Sequence, residues 1–127
     1  MHILDLQATK TILQVSCDIL EKKFYYDSDA LSRFLNIFSH EVGEELQRFM
    51  EHAYDETLDE ICSSRKTRMY FTIYFVSANL RFILKSHLHF TEQEIYAFEN
   101  FLPKYTGERH GKQQPKYQRT DNREFFK

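Results

Sequence analysis

Residues 69–84 read MYFTIYFVSANLRFIL, from Met69 to Leu84, an almost continuous apolar run interrupted by Thr72, Ser77, Asn79 and Arg81. The run falls short of the ~20 residues a membrane span needs, so it predicts a buried helix. At roughly 100° per residue it carries two apolar faces, one with Phe71, Phe75, Ala78 and Phe82, the other with Ile73, Val76, Leu80 and Ile83. A helix with two such faces lies between neighbours. The predicted fold is therefore all-α, a compact bundle of about four helices with this one at its centre.

On its N-terminal side, Leu31, Leu35, Phe38, Val42, Leu46, Phe49 and Ala53 fall within about 80° of helical arc, a strong amphipathic signal. Beyond Phe49 the apolar positions Met50, Tyr54, Leu58 and Ile61 drift around the axis, so the helix either meets two neighbours in succession or breaks. The spacing predicts one long helix over about 29–62, started by Ser28 or Asp29 and weakest at Gly43, with Ser63-Ser64-Arg65-Lys66 as the connection that follows. An earlier helix runs from about Ile3 to Phe24 on Ile3, Leu6, Leu13, Cys17, Leu20 and Phe24.

On the C-terminal side, Thr91-Glu92-Gln93-Glu94 matches a capping box and opens a short helix with Ile95, Phe98, Phe101 and Leu102 inward, which Pro103 ends. Residues 104–127 hold two of the three Gly and almost no apolar residue before Phe125-Phe126. Such a segment buries too little surface to offset its ordering entropy, so a helical domain over 1–103 is expected to carry a basic, disordered tail. The closing Phe pair is the exception, and either docks into a partner groove or simply runs on into further sequence.

The formal charge of −2 conceals an asymmetry. Residues 1–103 carry ten Lys/Arg against sixteen Asp/Glu, which gives −6, and residues 104–127 carry seven against three, which gives +4. A basic tail is attracted to nucleic acid, to acidic protein surfaces and to anionic membranes alike. Asp5 stands where a secretory signal would be basic, and Cys17 and Cys62 form no Cys-x-x-Cys pair, so a cytoplasmic or nuclear address with reduced thiols is expected.

No motif names a reaction. There is no Gly-x-Ser-x-Gly turn, and three Gly are too few for most phosphate-cradling loops. His87-x-His89 is the most ligand-like histidine spacing, yet neither cysteine has a neighbour in sequence to complete a zinc set. His40 with Glu44 and His52 with Glu56 suit surface pairing at least as well as ligation. Cys17 reads as a buried thiol. No enzyme, no cofactor and no metal are expected.

What remains is surface. Tyr70, Tyr74, Ser77, Arg81 and Lys85 form a stripe between the two apolar faces of 69–84 and continue the Arg65-Lys66-x-Arg68 cluster. Aromatics beside cations suit a protein interface, and also base stacking and phosphate contact; their structural alternative is tyrosines at the core edge with cations reaching water. Glu41, Glu44, Glu51, Asp55 and Asp59 share the outer side of the predicted 29–62 helix, either as a solvated face or as a docking surface for a basic partner or for the protein's own tail. The expected function is a non-enzymatic protein–protein interaction module: an adaptor, an assembly subunit or a small inhibitor of a larger complex. The rival is a small nucleic-acid-binding protein using the stripe and the tail. Apolar surface in excess of what one small domain covers points to a homodimer or a place in an assembly, and no membrane partner is expected.

Overall fold

The computed structural model describes residues 3–102 and residue 119, and every regular element among them is helical. The tail predicted over 104–127 lies outside the described residues, Arg119 excepted.

Helix α1 (Leu6–Phe24) begins where the Asp5 carboxylate accepts a hydrogen bond from the Ala8 amide at 2.9 Å. Ile3 therefore precedes the helix rather than opening it, and is buried in the core. Tyr25 ends α1 in the left-handed region at φ 61°, with Lys22 and Lys23 in the last turn, where the helix dipole favours cations. Helix α2 (Ser28–His52) starts one residue before the expected caps, with the Asp27 carboxylate accepting from Ala30 N at 2.8 Å.

The long helix expected over 29–62 is two helices. Ala53 and Tyr54 are extended, and α3 (Asp55–Ile61) starts anew with Asp55 and Glu56 at its positive end. The break answers the drift noted in sequence: it re-aims the chain so that Ile61 returns to the core at 1% exposure and Leu58 packs against it. Gly43 lies within unbroken helix, on the exposed side.

Helix α4 (Arg65–Ser86) also starts earlier than the apolar run. Ser64 accepts from Thr67 N at 3.0 Å, so Arg65, Lys66 and Arg68 occupy the first turn and not a connection. Helix α5 (Glu92–Phe101) has the anticipated capping box, with Thr91 N donating to Glu94 Oε1 at 2.8 Å and Glu94 N to Thr91 Oγ1 at 3.1 Å.

Helix α4 packs on all four of the others. Its Phe face meets α2, where the Phe49 ring lies 5.2 Å from Phe71 and 6.3 Å from Phe75, both within aromatic pairing range. Ile73, Val76, Leu80 and Ile83 on the other face are buried as well. Thr72, on that side, accepts from the Asp5 amide at 2.8 Å while donating to Arg68 O, which ties the start of α1 to α4. Both faces of α4 are thus largely covered by the chain's own helices. Among the described residues no helix is long and apolar enough to cross a membrane.

A Cβ at Gly43 meets nothing within 4 Å. Gly43→Ala is expected to raise the free energy of unfolding by about 0.5–1 kcal/mol, because alanine loses less backbone entropy in a helix. Urea denaturation of the two full-length chains measures the difference.

Candidate functional site

The geometry that stands out is a cluster of polar side chains sunk between α2 and α4. Measured from Phe38 at ~100° per residue, Glu45 falls roughly 20° beyond the edge of the apolar arc of α2, beside Phe38 and Phe49. The helix therefore carries this carboxylate straight into the interior, and it is 0% exposed. Glu41 sits one turn earlier on the same side and is largely covered. Two carboxylates in one poorly hydrated place demand counter-charge, since an unpaired buried ion costs several kcal/mol (roughly 3–5 when one partner of a pair is removed).

Arg119 supplies it. Its guanidinium donates from Nη1 to Asn79 Oδ1 at 2.6 Å and to Glu45 Oε1 at 3.0 Å, and from Nη2 to Glu41 Oε1 at 3.0 Å. Its Cζ stands 3.7 Å from the centroid of the Phe82 ring, so the plane is stacked as well as hydrogen-bonded. Only 2% of the side chain is exposed. Among the described residues its Nε–H is buried without an acceptor.

Each group around the guanidinium is held by something else too. Asn79 is fully buried, and its Nδ2 donates to the Phe75 carbonyl at 2.9 Å, which turns Oδ1 toward the cation. Arg48 grips Glu45 Oε1 through Nε at 3.3 Å and Nη2 at 3.0 Å. His87 Nε2 lies 2.9 Å from Glu41 Oε2, and its ring meets Phe82 edge-on. A recess of about 180 Å³ adjoins Arg119, bordered by Ala78, Arg81, Phe82, Lys85 and Glu92. The chemistry of this arrangement is recognition of a flat cation with several donors.

The residues singled out from sequence are distributed differently from their expected grouping. Tyr70 is buried and Tyr74 half-buried, so the stripe sinks into the core at its N-terminal end. Lys66 Nζ stands 5.8 Å over the Tyr70 ring. Arg81 bridges to α5, donating to Glu99 at 2.9 and 3.0 Å and to Glu92 at 2.9 Å. Lys85 is exposed, as are Arg65 and Lys66, while Arg68 is half-buried. Arg65 and Arg68 border an open groove of about 700 Å³ with Leu4, Asp5, Leu6, Gln7 and Cys62.

Of the acidic five, Glu41 turns toward α4. Glu44 stays at the surface 3.6 Å from His40, as the i,i+4 spacing suggested, and Glu51 is exposed and accepts from Gln47. The break after His52 puts Asp55 and Asp59, with Glu56, on α3, so the five carboxylates do not share one helix face. His89 adopts φ 59° at the turn after α4, and no group of three or more His, Cys, Asp or Glu able to hold a metal occurs among the described residues.

Sequence reasoning missed Glu45, Asn79 and Arg119. A signal existed for two of them: Glu45 and Asn79 are polar residues placed by helical period on buried ground, and such residues require partners. Nothing in the tail marks Arg119 among its seven Lys/Arg. Compared with family models, with curated proteins and with solved structures, the chain matches none.

Arg119→Ala is expected to lower the stability of the full chain by about 3 kcal/mol, because it removes the charged donor that Glu41, Glu45 and Asn79 share. Arg119→Lys should restore only part of that loss, since one ammonium cannot span acceptors on two helices and stack on Phe82. Equilibrium unfolding of the three chains reads both values.

Burial, reinforced by the charge of Asp18, pushes the Cys17 thiol above its ordinary pKa. Cys17 should therefore alkylate with iodoacetamide at neutral pH much more slowly than in the unfolded chain. The unfolded thiol ionises first, so this contribution to stability is present below the usual thiol range and is lost as pH climbs through it. Mass spectrometry of timed alkylation, native against denatured, checks the rate.

Proposed function

We propose that this chain is a non-enzymatic interaction module that works by binding another protein, and that the acidic side of α2, at its junction with α4, is where a basic segment docks. The observation that supports this reading is Arg119. A side chain beyond the helical domain is seated on the module by four contacts: two carboxylates, an amide oxygen and an aromatic face. A surface that orders an arginine from a distant segment has what peptide recognition requires, namely charge complementarity with a stacked anchor. Glu44 and Glu51 extend the negative potential beyond the buried pair on the exposed side of α2.

The aromatic and basic stripe suits nucleic acid less well as placed. Tyr70 is buried, and Arg81 is engaged with Glu92 and Glu99. The observation that favours a nucleic-acid partner is the first turn of α4, where Arg65, Lys66 and Arg68 gather at the positive end of the helix dipole beside the open groove. Cations there oppose the dipole, and a bound anion would relieve them.

The two readings separate by salt, nuclease and charge reversal. The full chain on a matrix is expected to retain a protein partner from native extract after nuclease treatment. The combined change Glu44→Lys and Glu51→Lys, on exposed positions that leave the core intact, should reduce that capture roughly tenfold through like-charge repulsion. Recovery that nuclease abolishes, that Arg65→Ala with Lys66→Ala removes, and that falls steeply with salt would transfer the assignment to nucleic acid.

A further inference from the structure

The buried cluster admits a more specific statement, which rests on the protein-binding reading above. We infer that Glu41, Glu45, Asn79 and Phe82 form a receptor for the arginine side chain of a partner protein, and that the chain's own Arg119 occupies this receptor in cis until such a partner displaces it.

Three observations carry the inference. The receptor is selective by shape: its acceptors come from α2 and α4 and meet Nη1 and Nη2 of one planar group, while Phe82 covers that group's face. A lysine offers a point charge with no plane to stack and no fork to span the two helices. The receptor is also organised independently of its occupant. Arg48 holds Glu45, the Phe75 carbonyl holds Asn79 and His87 holds Glu41, so the acceptors keep their directions when the guanidinium leaves.

Finally, Arg119 is an incomplete ligand. Its Nε–H is buried without an acceptor among the described residues, which weakens the bound state. Its advantage is covalent linkage: Arg119 belongs to the same chain as the receptor, so its binding is intramolecular. A partner arginine that also satisfies Nε, or that brings flanking contacts to Glu44 and Glu51, competes against that tether. A group that served only as a strut would be better replaced by apolar side chains, because a buried ion pair is a poor source of stability.

The test uses full-length chains and a labelled peptide with the sequence of residues 114–122, Gln-Pro-Lys-Tyr-Gln-Arg-Thr-Asp-Asn, read by fluorescence anisotropy at low salt. With the receptor emptied by Arg119→Ala, the peptide is expected to bind at least about tenfold more tightly than to the wild-type chain, whose tether competes. Lysine or citrulline in place of the peptide's arginine should remove roughly tenfold of that affinity, and adding Glu45→Gln to Arg119→Ala should remove about as much. Arg119→Lys, which retains a charge in the site, supports the same comparison should the alanine chain not fold.

Equal affinity of wild type and variant overturns the inference, as does equal binding of the lysine peptide. Loss of cooperative unfolding in both variants would identify Arg119 as a fixed strut and overturn it too. Free L-arginine matching the peptide would make the site a small-molecule receptor instead of a protein-docking one. If the peptide fails while nuclease-resistant capture through Glu44 and Glu51 persists, the protein-binding reading stands without the arginine receptor; loss of both removes both.

Discussion

Everything in this fold depends on covering α4. A helix with apolar residues on two sides cannot sit at the edge of a small domain, so the remaining helices are arranged as its cover. The consequences run outward from there. Phe49 fixes where α2 crosses, because its ring has to reach both Phe71 and Phe75. The break at Ala53–Tyr54 follows from the same demand: a continued α2 would have carried Ile61 away from the core, and the short α3 brings it back. Arg81, exposed on α4, then binds α5 through Glu92 and Glu99. That exposed network is worth little by itself, but it sets the rotation at which Ile95 and Phe98 face inward.

A fully surrounded helix creates a second requirement. Any polar residue on it must find a partner inside, and α4 buries Thr72 and Asn79 completely. Thr72 answers locally, bonding Arg68 O and the Asp5 amide, and in doing so registers α1 against α4. Asn79 answers half locally, through the Phe75 carbonyl, and its Oδ1 accepts from Arg119. The same guanidinium nitrogen also reaches Glu45, so one group brings donors and positive charge to both sides of the α2–α4 seam.

The sequence was informative wherever one helix had one reason to exist. The α4 apolar run, the α2 arc from Leu31 to Phe49 and the Thr91–Glu94 capping box each had a physical meaning that tertiary context did not alter. Boundaries were less legible, because Ser64 and Asp27 can end a loop or begin a helix with the same hydrogen-bonding group. The α2–α3 break was visible as drift without being locatable, since neither Gly nor Pro marks Ala53 or Tyr54. The site was the least legible. Tyr70 and Arg81 have the chemistry of an interface, yet one is consumed by the core and the other by α5. Glu45 was legible in principle, as a charge beside Phe38 and Phe49 at the edge of an apolar arc. Its partner was not, because an arginine some seventy residues away carries no mark of where it folds back.

The remaining question is why such a seam should contain ions at all. Apolar side chains of similar volume at Glu45, Asn79 and Arg119 would pack the same space without desolvating charge, and buried ion pairs so replaced commonly leave a protein as stable or more so. What the polar version provides is geometric selectivity: acceptors on α2 and α4 meet the two terminal nitrogens of one planar cation while Phe82 covers its face. Discrimination has no use in an element that never exchanges its occupant. It is useful at a place where the occupant comes from a distant point in the sequence, as Arg119 does. The same features that make the cluster an inefficient source of stability suit it to recognition.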